Sequence, residues 1–243
     1  MNIIDCPWEL ANLDCRVAEI SVSADEVIDK AQIKELEQKY DYLVLKNQSG
    51  VMINNVIAAE LGFVLAETQL SLQKEYRAFS FEKDSMESRL IKQMSVERIV
   101  KEEDFNELMS LMTEDMFSTD RIFLDPQFGP SYSTRRYKNW TRTEWERGSL
   151  LYKHFFNGKY VGYSLLKLKG NELSALLAGN FIQYQNTGMG FWIPLIPKII
   201  GDVPFKLYTT KISSNNIAVW RLYNWQNYKV DRFEYVFVKH IKH

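Results

Sequence analysis

The residues that most clearly suggest chemistry lie in a loop after an apolar strand pattern. The strand pattern begins at Leu173, and the loop that ends it reads Gln185-Asn186-Thr187-Gly188-Met189-Gly190. Glycines at the fourth and sixth places let the backbone approach a ligand closely, and amides at the start of a following helix can receive phosphate oxygens. The spacing predicts a phosphate-binding loop, although two glycines after a strand are more often an ordinary turn.

A second group of residues lies on one face of a predicted helix. A strand pattern ends near Ile212, and the serines and asparagines that follow it are typical of a helix start. The residues that then recur at steps of three and four are Asn216, Val219, Leu222 and Tyr223. Asn216 and Tyr223 are two turns apart and point the same way, about 10 Å apart along the helix axis.

Together the two segments resemble the signatures of the GNAT superfamily of acyl-CoA N-acyltransferases. The loop resembles the Q/R-x-x-G-x-G/A pyrophosphate loop of that family. The helix resembles its V-x-x-x-N-x-x-A/S-x-x-L-Y-x-x-x-G-F signature, with Asn227 and Tyr228 in place of the closing G-F. The resemblance covers roughly residues 95–239. It implies the GNAT acetyltransferase fold, of α/β (α+β) class with a mixed central sheet, and acetyl-CoA (coenzyme A) as the acyl donor.

The resemblance also implies roles for individual residues. The strand before the loop would offer a backbone amide to the acyl carbonyl and pair with the pantetheine arm, and Asn216 would bind the pantetheine region. Tyr223 would be the catalytic general acid that returns a proton to the coenzyme A sulfur. The residues expected to bind the cofactor are Gly179, Asn180, Phe181, Gln185, Asn186, Thr187, Gly188, Met189, Gly190, Asn216 and Val219.

Each of these roles has a structural alternative. Tyr223 could pack in the core beside Leu222, and Asn216 could cap the helix, although Asn215 can fill that place instead. Pro194 and Pro197 remove backbone donors from the helix expected after the loop. That helix either starts late, with a proline in its first turn, or is kinked.

The elements that must position this site follow two successive patterns. Residues 16–72 read as strand, helix, strand, helix, strand, which predicts a small α/β unit, and the charged segment 81–88 is the candidate connector. Beyond it the order is strand, helices, three strands, helix, strand, helix, strand, with Asn157-Gly158 as a type I′ hairpin turn. We therefore predict a degenerate GNAT-like half-domain over 1–84 and a catalytic GNAT domain over 85–243.

The acceptor side is predicted from residues 118–140, a turn-rich stretch expected at the surface and a helix. With S-T-D-R, L-D-P and R-Y-x-N-W, it resembles the two-domain sugar-nucleotide acetyltransferases of the TDP-fucosamine type, which implies a nucleotide-linked amino sugar as acceptor. Guanidinium forks suit a diphosphate, and aromatic faces suit a base or sugar ring. The predicted acceptor-binding residues are Asp120, Arg121, Arg136, Tyr137 and Trp140. A solvated helix face with its aromatic rings turned inward is an equal alternative.

The general base is not assigned by the sequence. His154 lies in the hairpin, where a histidine is more often a satisfied or exposed side chain than a base. The sugar amine can instead lose its proton through water, with Asp120, Asp125 or Glu172 nearby. No spacing of cysteine and histidine matches a metal site, and His240 and His243 are expected in a disordered tail.

Composition restricts the class of protein. The 243 residues carry a formal net charge of −1, which predicts no whole-molecule attraction to nucleic acid. Two cysteines fit a reducing cytoplasm, and no signal peptide or membrane span is predicted. The final strand pattern, Phe233 to Val238, is expected at an exposed edge that could pair in a homodimer.

The sequence therefore favours a cytoplasmic, acetyl-CoA-dependent N-acetyltransferase that acts on a nucleotide-linked amino sugar by direct transfer in a ternary complex. One alternative is a GNAT enzyme for an amino acid, peptide or polyamine, or for a longer acyl group. Another is a non-catalytic acyl-CoA-binding module.

Overall fold

The strands form a single mixed sheet that runs through the whole molecule. The computed structural model describes residues 1–78, 83, 85–201 and 203–241. Within them, ten strands are ordered β1-β2-β3-β10-β4-β9-β8-β7-β6-β5. The strands are β1 (Asn2–Asp5), β2 (Val17–Val22), β3 (Tyr42–Gln48), β4 (Val64–Glu75), β5 (Met94–Arg98), β6 (Leu150–Phe156), β7 (Lys159–Lys169), β8 (Glu172–Asn180), β9 (Leu207–Ser213) and β10 (Lys229–His240).

Helices cover both faces of this sheet. The α-helices are α1 (Trp8–Leu13), α2 (Lys30–Glu37), α3 (Met52–Glu60), α4 (Met86–Ile91), α5 (Glu102–Leu111), α6 (Arg121–Leu124), α7 (Pro130–Glu146), α8 (Ile196–Ile199) and α9 (Ile217–Trp225). Most of these elements were predicted within a few residues, but β1, α1, α4 and α6 were not. The predicted connector and domain boundary fall partly outside the described residues, and the two-domain division stays a prediction.

The helix predicted between β2 and β3 begins later than expected. Its N-cap is Asp29, whose carboxylate accepts hydrogen bonds from the N–H groups of Ala31 and Gln32 at 2.9 and 3.2 Å. Such a cap satisfies donors that the first helical turn leaves without partners. Ser23 and Asp25, which are also residue types typical of a helix start, therefore do not begin the helix.

The last strand of the chain lies inside the sheet rather than at its edge. β10 pairs antiparallel with β3 from Glu234 opposite Gln48 to His240 opposite Tyr42, and on its other side it pairs with β4. Both edges of the strand are thus hydrogen-bonded, so the predicted pairing of Phe233 to Val238 across a homodimer is wrong. The end of the second half of the chain completes the sheet of the first half.

Two layers of apolar side chains hold the second half of the sheet. On one face, Phe105 and Leu108 of α5 pack with Leu151 and Leu165 of the β6–β7 hairpin. The hairpin turn has positive φ at Asn157 and Gly158, as a type I′ turn requires. On the other face lie α8, α9 and the preceding 3₁₀ helix, with Trp192 fully buried.

The segment after the predicted phosphate loop is not a regular α-helix. Met189–Leu195 is a 3₁₀ helix that contains Pro194, and the short α8 follows with Pro197 in its first turn. Proline fits the first turn of α8 because its missing N–H would have no intrahelical partner there. The disturbance expected from the two prolines is thus confirmed.

The central position of β10 predicts that a substitution near the C-terminus destabilises the first half of the chain. Phe237 is 7% exposed and packs in the core of the first half, with Ile33, Leu43 and Leu45. Phe237→Ala should lower the free energy of unfolding by about 3–5 kcal/mol, measured by urea titration. The control Phe233→Ala, at a position 42% exposed on the same strand, should change it far less. Equal effects of the two variants would contradict this packing.

Candidate active site

A cleft opens in the sheet where β8 and β9 separate. The two strands pair in parallel from Glu172 opposite Leu207 to Ala175 opposite Thr210, and their pairing stops there. β8 continues to Asn180, next to β7 alone. We call the gap between 176–180 of β8 and 211–213 of β9 the cleft, and the Ala175–Thr210 pair its vertex.

A β-bulge marks the point of separation. Ala175 pairs with Leu166 of β7 and Leu177 pairs with Leu165, so that Leu176 is an extra residue in β8. A bulge bends its strand and increases the local twist. The bulge at Leu176 therefore gives a physical reason for β8 to turn away from β9 directly after the vertex.

The backbone of β8 presents hydrogen-bonding groups to the cleft. The N–H of Phe181 donates to Val161 O of β7 at 3.0 Å, and the side chain of Phe181 is buried. Because successive residues of a strand direct their N–H groups to opposite edges, those of Asn180 and Ala178 point toward the cleft. Asn180 O accordingly accepts from Gln185 Nε2, at 3.3 Å. Phe181, one of the residues expected to bind the cofactor, thus directs its amide to β7 and not to the cleft.

The loop at 185–190 combines an open part and a packed part. Asn186 and Gly188 have positive φ, of 58° and 83°, and a Cβ on Gly188 would meet nothing within 4 Å. Gly188 is therefore required by its backbone conformation and not by packing. A Cβ on Gly190, by contrast, would lie 3.0 Å from Leu222 Cδ1, so this glycine lets the loop pack on α9.

The other predicted loop residues also have defined positions. The side-chain amide of Gln185 donates to Met116 O as well as to Asn180 O, which ties the loop to β8 and to the segment before α6. Thr187 Oγ1 donates to Tyr184 O at 2.7 Å. Met189 is the first residue of the 3₁₀ helix and is half-buried.

Tyr223 lies at the vertex of the cleft but is buried. Its side chain is 2% exposed within the core of α9 and the sheet, and its hydroxyl lies near those of Thr210, a vertex residue, and Tyr208. Burial raises the pKa of Tyr223 to about 12, against a smaller lowering by these two hydroxyls. The phenol therefore keeps its proton at neutral pH, which suits an acid and not a base.

The start of α9 is capped by Asn216. Its Oδ1 accepts from Val219 N at 3.1 Å, while Asn215 Nδ2 donates to Ala66 O of β4 at 3.4 Å. The capping role that the sequence allowed for Asn215 thus belongs to Asn216, because Asn215 is turned toward β4. Val219 is half-buried and packs against the same core as Tyr223.

A buried hydrogen bond between the side chains of Trp192 and Asn180 holds the end of β8 in place. Trp192 Nε1 donates to Asn180 Oδ1 at 2.8 Å, and the indole stacks on His154 with ring centroids 4.1 Å apart. His154 Nε2 lies 2.7 Å from Ser164 Oγ, and burial lowers the pKa of His154 to about 3. His154 is thus a neutral core residue, as the structural alternative predicted, whereas Trp192 was not identified from the sequence.

The predicted acceptor residues divide into two groups. Asp120 caps α6 and accepts hydrogen bonds from Ser133 Oγ and Tyr137 Oη at 2.8 and 3.1 Å. Tyr137 stacks on Phe117 with ring centroids 4.2 Å apart, and half-buried Trp140 lies beside it. The rings of Tyr137 and Trp140, both on α7, are therefore turned inward and packed, and Asp120 is bonded to the same helix.

The two arginines face the first half of the chain. Arg136 Nε donates to Glu9 Oε1 at 2.8 Å, and Arg121 pairs with Glu67 at 3.5 Å. Both line a cavity of about 80 Å³ beside Tyr42 of β3. Four strand spacings separate β3 from β8, or about 19 Å, so this cavity is distinct from the cleft. Arg121 is half-buried, with its side chain 11% exposed, although the sequence placed it at the surface.

A polar floor lies on the central strands and was not found from the sequence. Cross-strand neighbours share a face of a sheet, and the register aligns Arg232, Ser71 and Lys211 in one row and Glu234, Gln69 and Ser213 in the next. We call these six residues the polar floor. Alternation of polar residues along β4 and β9 was the available signal, but it is meaningful only once both strands are known to be neighbours.

The C-terminal histidine in the described part of the chain is ordered by contacts. His240 Nε2 lies 2.8 Å from Asp125 Oδ2, and its ring packs on Tyr42 and Phe128. The expectation of a disordered tail at His240 is wrong, and His243 lies outside the described residues. Among the described residues no group of three histidine, cysteine or acidic side chains could hold a metal ion. No described helix has the length and hydropathy needed to cross a bilayer.

Comparison with known proteins decides the fold. No protein-family model and no curated protein sequence matches the chain. A functionally unknown conserved protein from Staphylococcus epidermidis is similar in structure, with a TM-score of 0.63 and 15% identity over 98% of this chain and 89% of that one. A GCN5-related N-acetyltransferase from Kribbella flavida has a TM-score of 0.55 and 11% identity over 92% and 81% of the two chains.

The chain has the GNAT fold. A third similar structure is a GCN5-related glucosamine N-acetyltransferase region of a fungal multi-domain GH3 β-N-acetylglucosaminidase, with a TM-score of 0.57 and 13% identity. It covers 86% of this chain and 26% of that one. Identities this low establish the GNAT fold alone and say nothing specific about TDP-fucosamine acetyltransferases.

The buried histidine predicts a loss of stability in mild acid. Because the pKa of His154 is lowered to about 3 in the folded protein, the unfolded chain binds a proton there first as the pH falls below about 6.5. Stability from this group is complete above pH 6.5 and is lost from there down to about pH 3. Between pH 7 and 5 the parent should lose roughly 2 kcal/mol more than His154→Gln in urea titrations. Identical pH dependence would show that His154 is not neutral and buried.

Proposed function

We propose that the protein is an acetyl-CoA-dependent N-acetyltransferase that transfers the acetyl group directly to an amine within a ternary complex. The observation that supports this most is the cleft itself: a bulged strand with free backbone donors, in a GNAT fold, followed by a loop with left-handed residues. An extended ligand can add to such an edge as a further strand.

The residues around the cleft fit coenzyme A by their chemistry. The N–H groups of Ala178 and Asn180 are available to the amides of the pantetheine arm. Asn186 and Gly188 shape a loop whose backbone amides suit a pyrophosphate, and Gly190 holds it on α9. Because the following 3₁₀ helix is short and interrupted, we assign phosphate binding to single loop amides. Acetyl-CoA, when bound, supplies the activated acyl group.

Tyr223 is the proposed general acid. Its hydroxyl is at the vertex, and its raised pKa keeps the proton in place until a thiolate forms nearby. The Tyr223 hydroxyl can reach a sulfur atom if side chains at the vertex, beside Thr210, move locally. Asn216 and Val219, at the start of the same helix, are proposed to line the pantetheine region.

The proposed acceptor is the amino group of a nucleotide-linked amino sugar, used in polysaccharide biosynthesis in the cytoplasm. The similarity of residues 118–140 to sugar-nucleotide acetyltransferases supports it, and so does the similarity in structure to a region described as a GCN5-related glucosamine N-acetyltransferase. Asp120, Tyr137 and Trp140 are proposed to contribute. We do not include Arg136 or Arg121, whose guanidinium groups pair with Glu9 and Glu67.

A non-catalytic acyl-CoA-binding module is the second candidate. The observation that favours it is the burial of Tyr223, because a proton donor must reach the sulfur. The two candidates share the cofactor and differ in turnover.

A titration and an acceptor screen test the proposal. Saturating acetyl-CoA should raise the unfolding temperature, since a ligand that binds only the folded state stabilises it. Thiol release should then appear with amino-sugar nucleotides in a panel that also holds simple amines. Binding without thiol release on any acceptor would favour the non-catalytic module. Thiol release only with simple amines would rule out the amino-sugar acceptor. The absence of acetyl-CoA binding would rule out this cofactor.

Removing the Tyr223 hydroxyl should separate binding from turnover. Tyr223→Phe should retain acetyl-CoA binding and lose about 10²–10⁴-fold in kcat, the usual contribution of a general acid. The parent's kcat should show no loss from ionisation of this group below about pH 10, given its pKa of about 12. Tyr152→Phe, in the same core but away from the vertex, is the control. Equal kcat in all three proteins would discard the general-acid role.

A further inference from the structure

We propose that the acceptor's hydroxyl groups are recognised by Gln69 and Ser71 of β4, a strand from the first half of the chain. The inference rests on the proposed function and assigns a binding site to the polar floor. Its basis is two buried polar atoms without partners, an ion pair that covers them, and their position one strand from the cleft.

Two polar atoms of the floor have no hydrogen-bond partner among the described residues. They are Gln69 Oε1 and Ser71 Oγ, and the Ser71 residue is 8% exposed. A buried polar group without a partner costs free energy, and native structures rarely keep one without reason. Here two such atoms lie on one face of one strand, two residues apart. They form an unsatisfied polar site.

An ion pair lies across this site. Lys211 of β9 and Glu234 of β10 are on opposite sides of β4, and yet Lys211 Nζ and Glu234 Oε2 are 3.0 Å apart. The two side chains must therefore cross above β4, where Ser71 faces Lys211 and Gln69 faces Glu234. The Lys211 side chain is 50% exposed and the Glu234 side chain 15%. Lys211 is therefore the half of the pair that can move into solvent and uncover the site.

The site lies at a suitable distance from the vertex. Leu72, the neighbour of Ser71, is opposite Thr210, and Thr210 is opposite Ala175. β4 is thus two strand spacings from β8, or about 10 Å. A molecule with an amine at the vertex and hydroxyl groups several bonds away can span this distance, whereas a short alkylamine cannot.

The chemistry of the floor favours a neutral polyol over an anion at this point. Gln69 Oε1 can only accept, and Ser71 Oγ can donate or accept. Glu67 Oε1 accepts a hydrogen bond from Gln69 Nε2 at 3.2 Å, and Glu234 adds a second carboxylate. These acceptors disfavour a phosphate and suit hydroxyl groups. A displaced Lys211 remains free to contact another part of the same acceptor.

Ser71→Ala tests the inference because function and stability should move in opposite directions. Removing a hydroxyl without a partner should leave the unfolding temperature unchanged or raise it. The same variant should lower kcat/KM for glucosamine or its nucleotide conjugate about threefold to tenfold, and leave kcat/KM for cyclohexylamine, a ring amine without hydroxyls, unchanged. Gln69→Met should give the same selectivity change. Ser95→Ala, on the outer strand β5, is the control and should change neither.

The outcomes separate the two proposals. If kcat/KM falls equally for both amines, or if Ser71→Ala lowers activity together with the unfolding temperature, Ser71 has a structural role and the inference is wrong. If the parent transfers acetyl to neither amine, the proposed function fails, and glucosamine binding measured by saturation-transfer NMR then decides. Weaker glucosamine binding to Ser71→Ala and Gln69→Met than to the parent would support the site. Equal binding to all three proteins, or no binding to the parent, would overturn it.

Discussion

The bulge at Leu176 is the feature on which the site depends. One extra residue in β8 ends its pairing with β9 after only four residue pairs, and every later property of the cleft follows from that separation. The N–H groups of Ala178 and Asn180 would otherwise be consumed in the sheet. The bulge therefore converts part of a continuous sheet into a surface that can bind an extended ligand.

The surrounding structure keeps this interruption local. Trp192 holds the end of β8 through Asn180, and Gly190 brings the loop into contact with α9. Gly162 on β7 is a further requirement, because a Cβ there would lie 2.2 Å from Gly179 O. These contacts compensate for the irregular helix that Pro194 imposes. Contacts of single side chains therefore hold the site in place, where a regular helix after the loop would otherwise do so.

The first half of the chain is part of the same structure and not an appendage. β10 is held between β3 and β4, so the sheet of each half is completed by the other. One consequence is that β4 borders β9 and brings Gln69 and Ser71 near the cleft. Another is that Glu9 and Glu67 form ion pairs with Arg136 and Arg121, two residues that the sequence assigned to the acceptor. In the folded protein these arginines therefore bind carboxylates of the first half of the chain.

The sequence by itself determined the local elements and the class of fold. Asn157-Gly158 specified its hairpin, the 3.6-residue period from Asn216 to Tyr223 specified a helix face, and the glycines of the loop marked a special backbone. These signals depend on neighbours within a few residues. Tertiary structure decided the strand order, the burial of Tyr223, the contact of Asn215 with β4 that leaves the cap to Asn216, and the pairing of β10, because each depends on residues far apart in the chain. The polar floor belongs to this second group, since Ser71, Lys211 and Arg232 become neighbours only when three distant strands align.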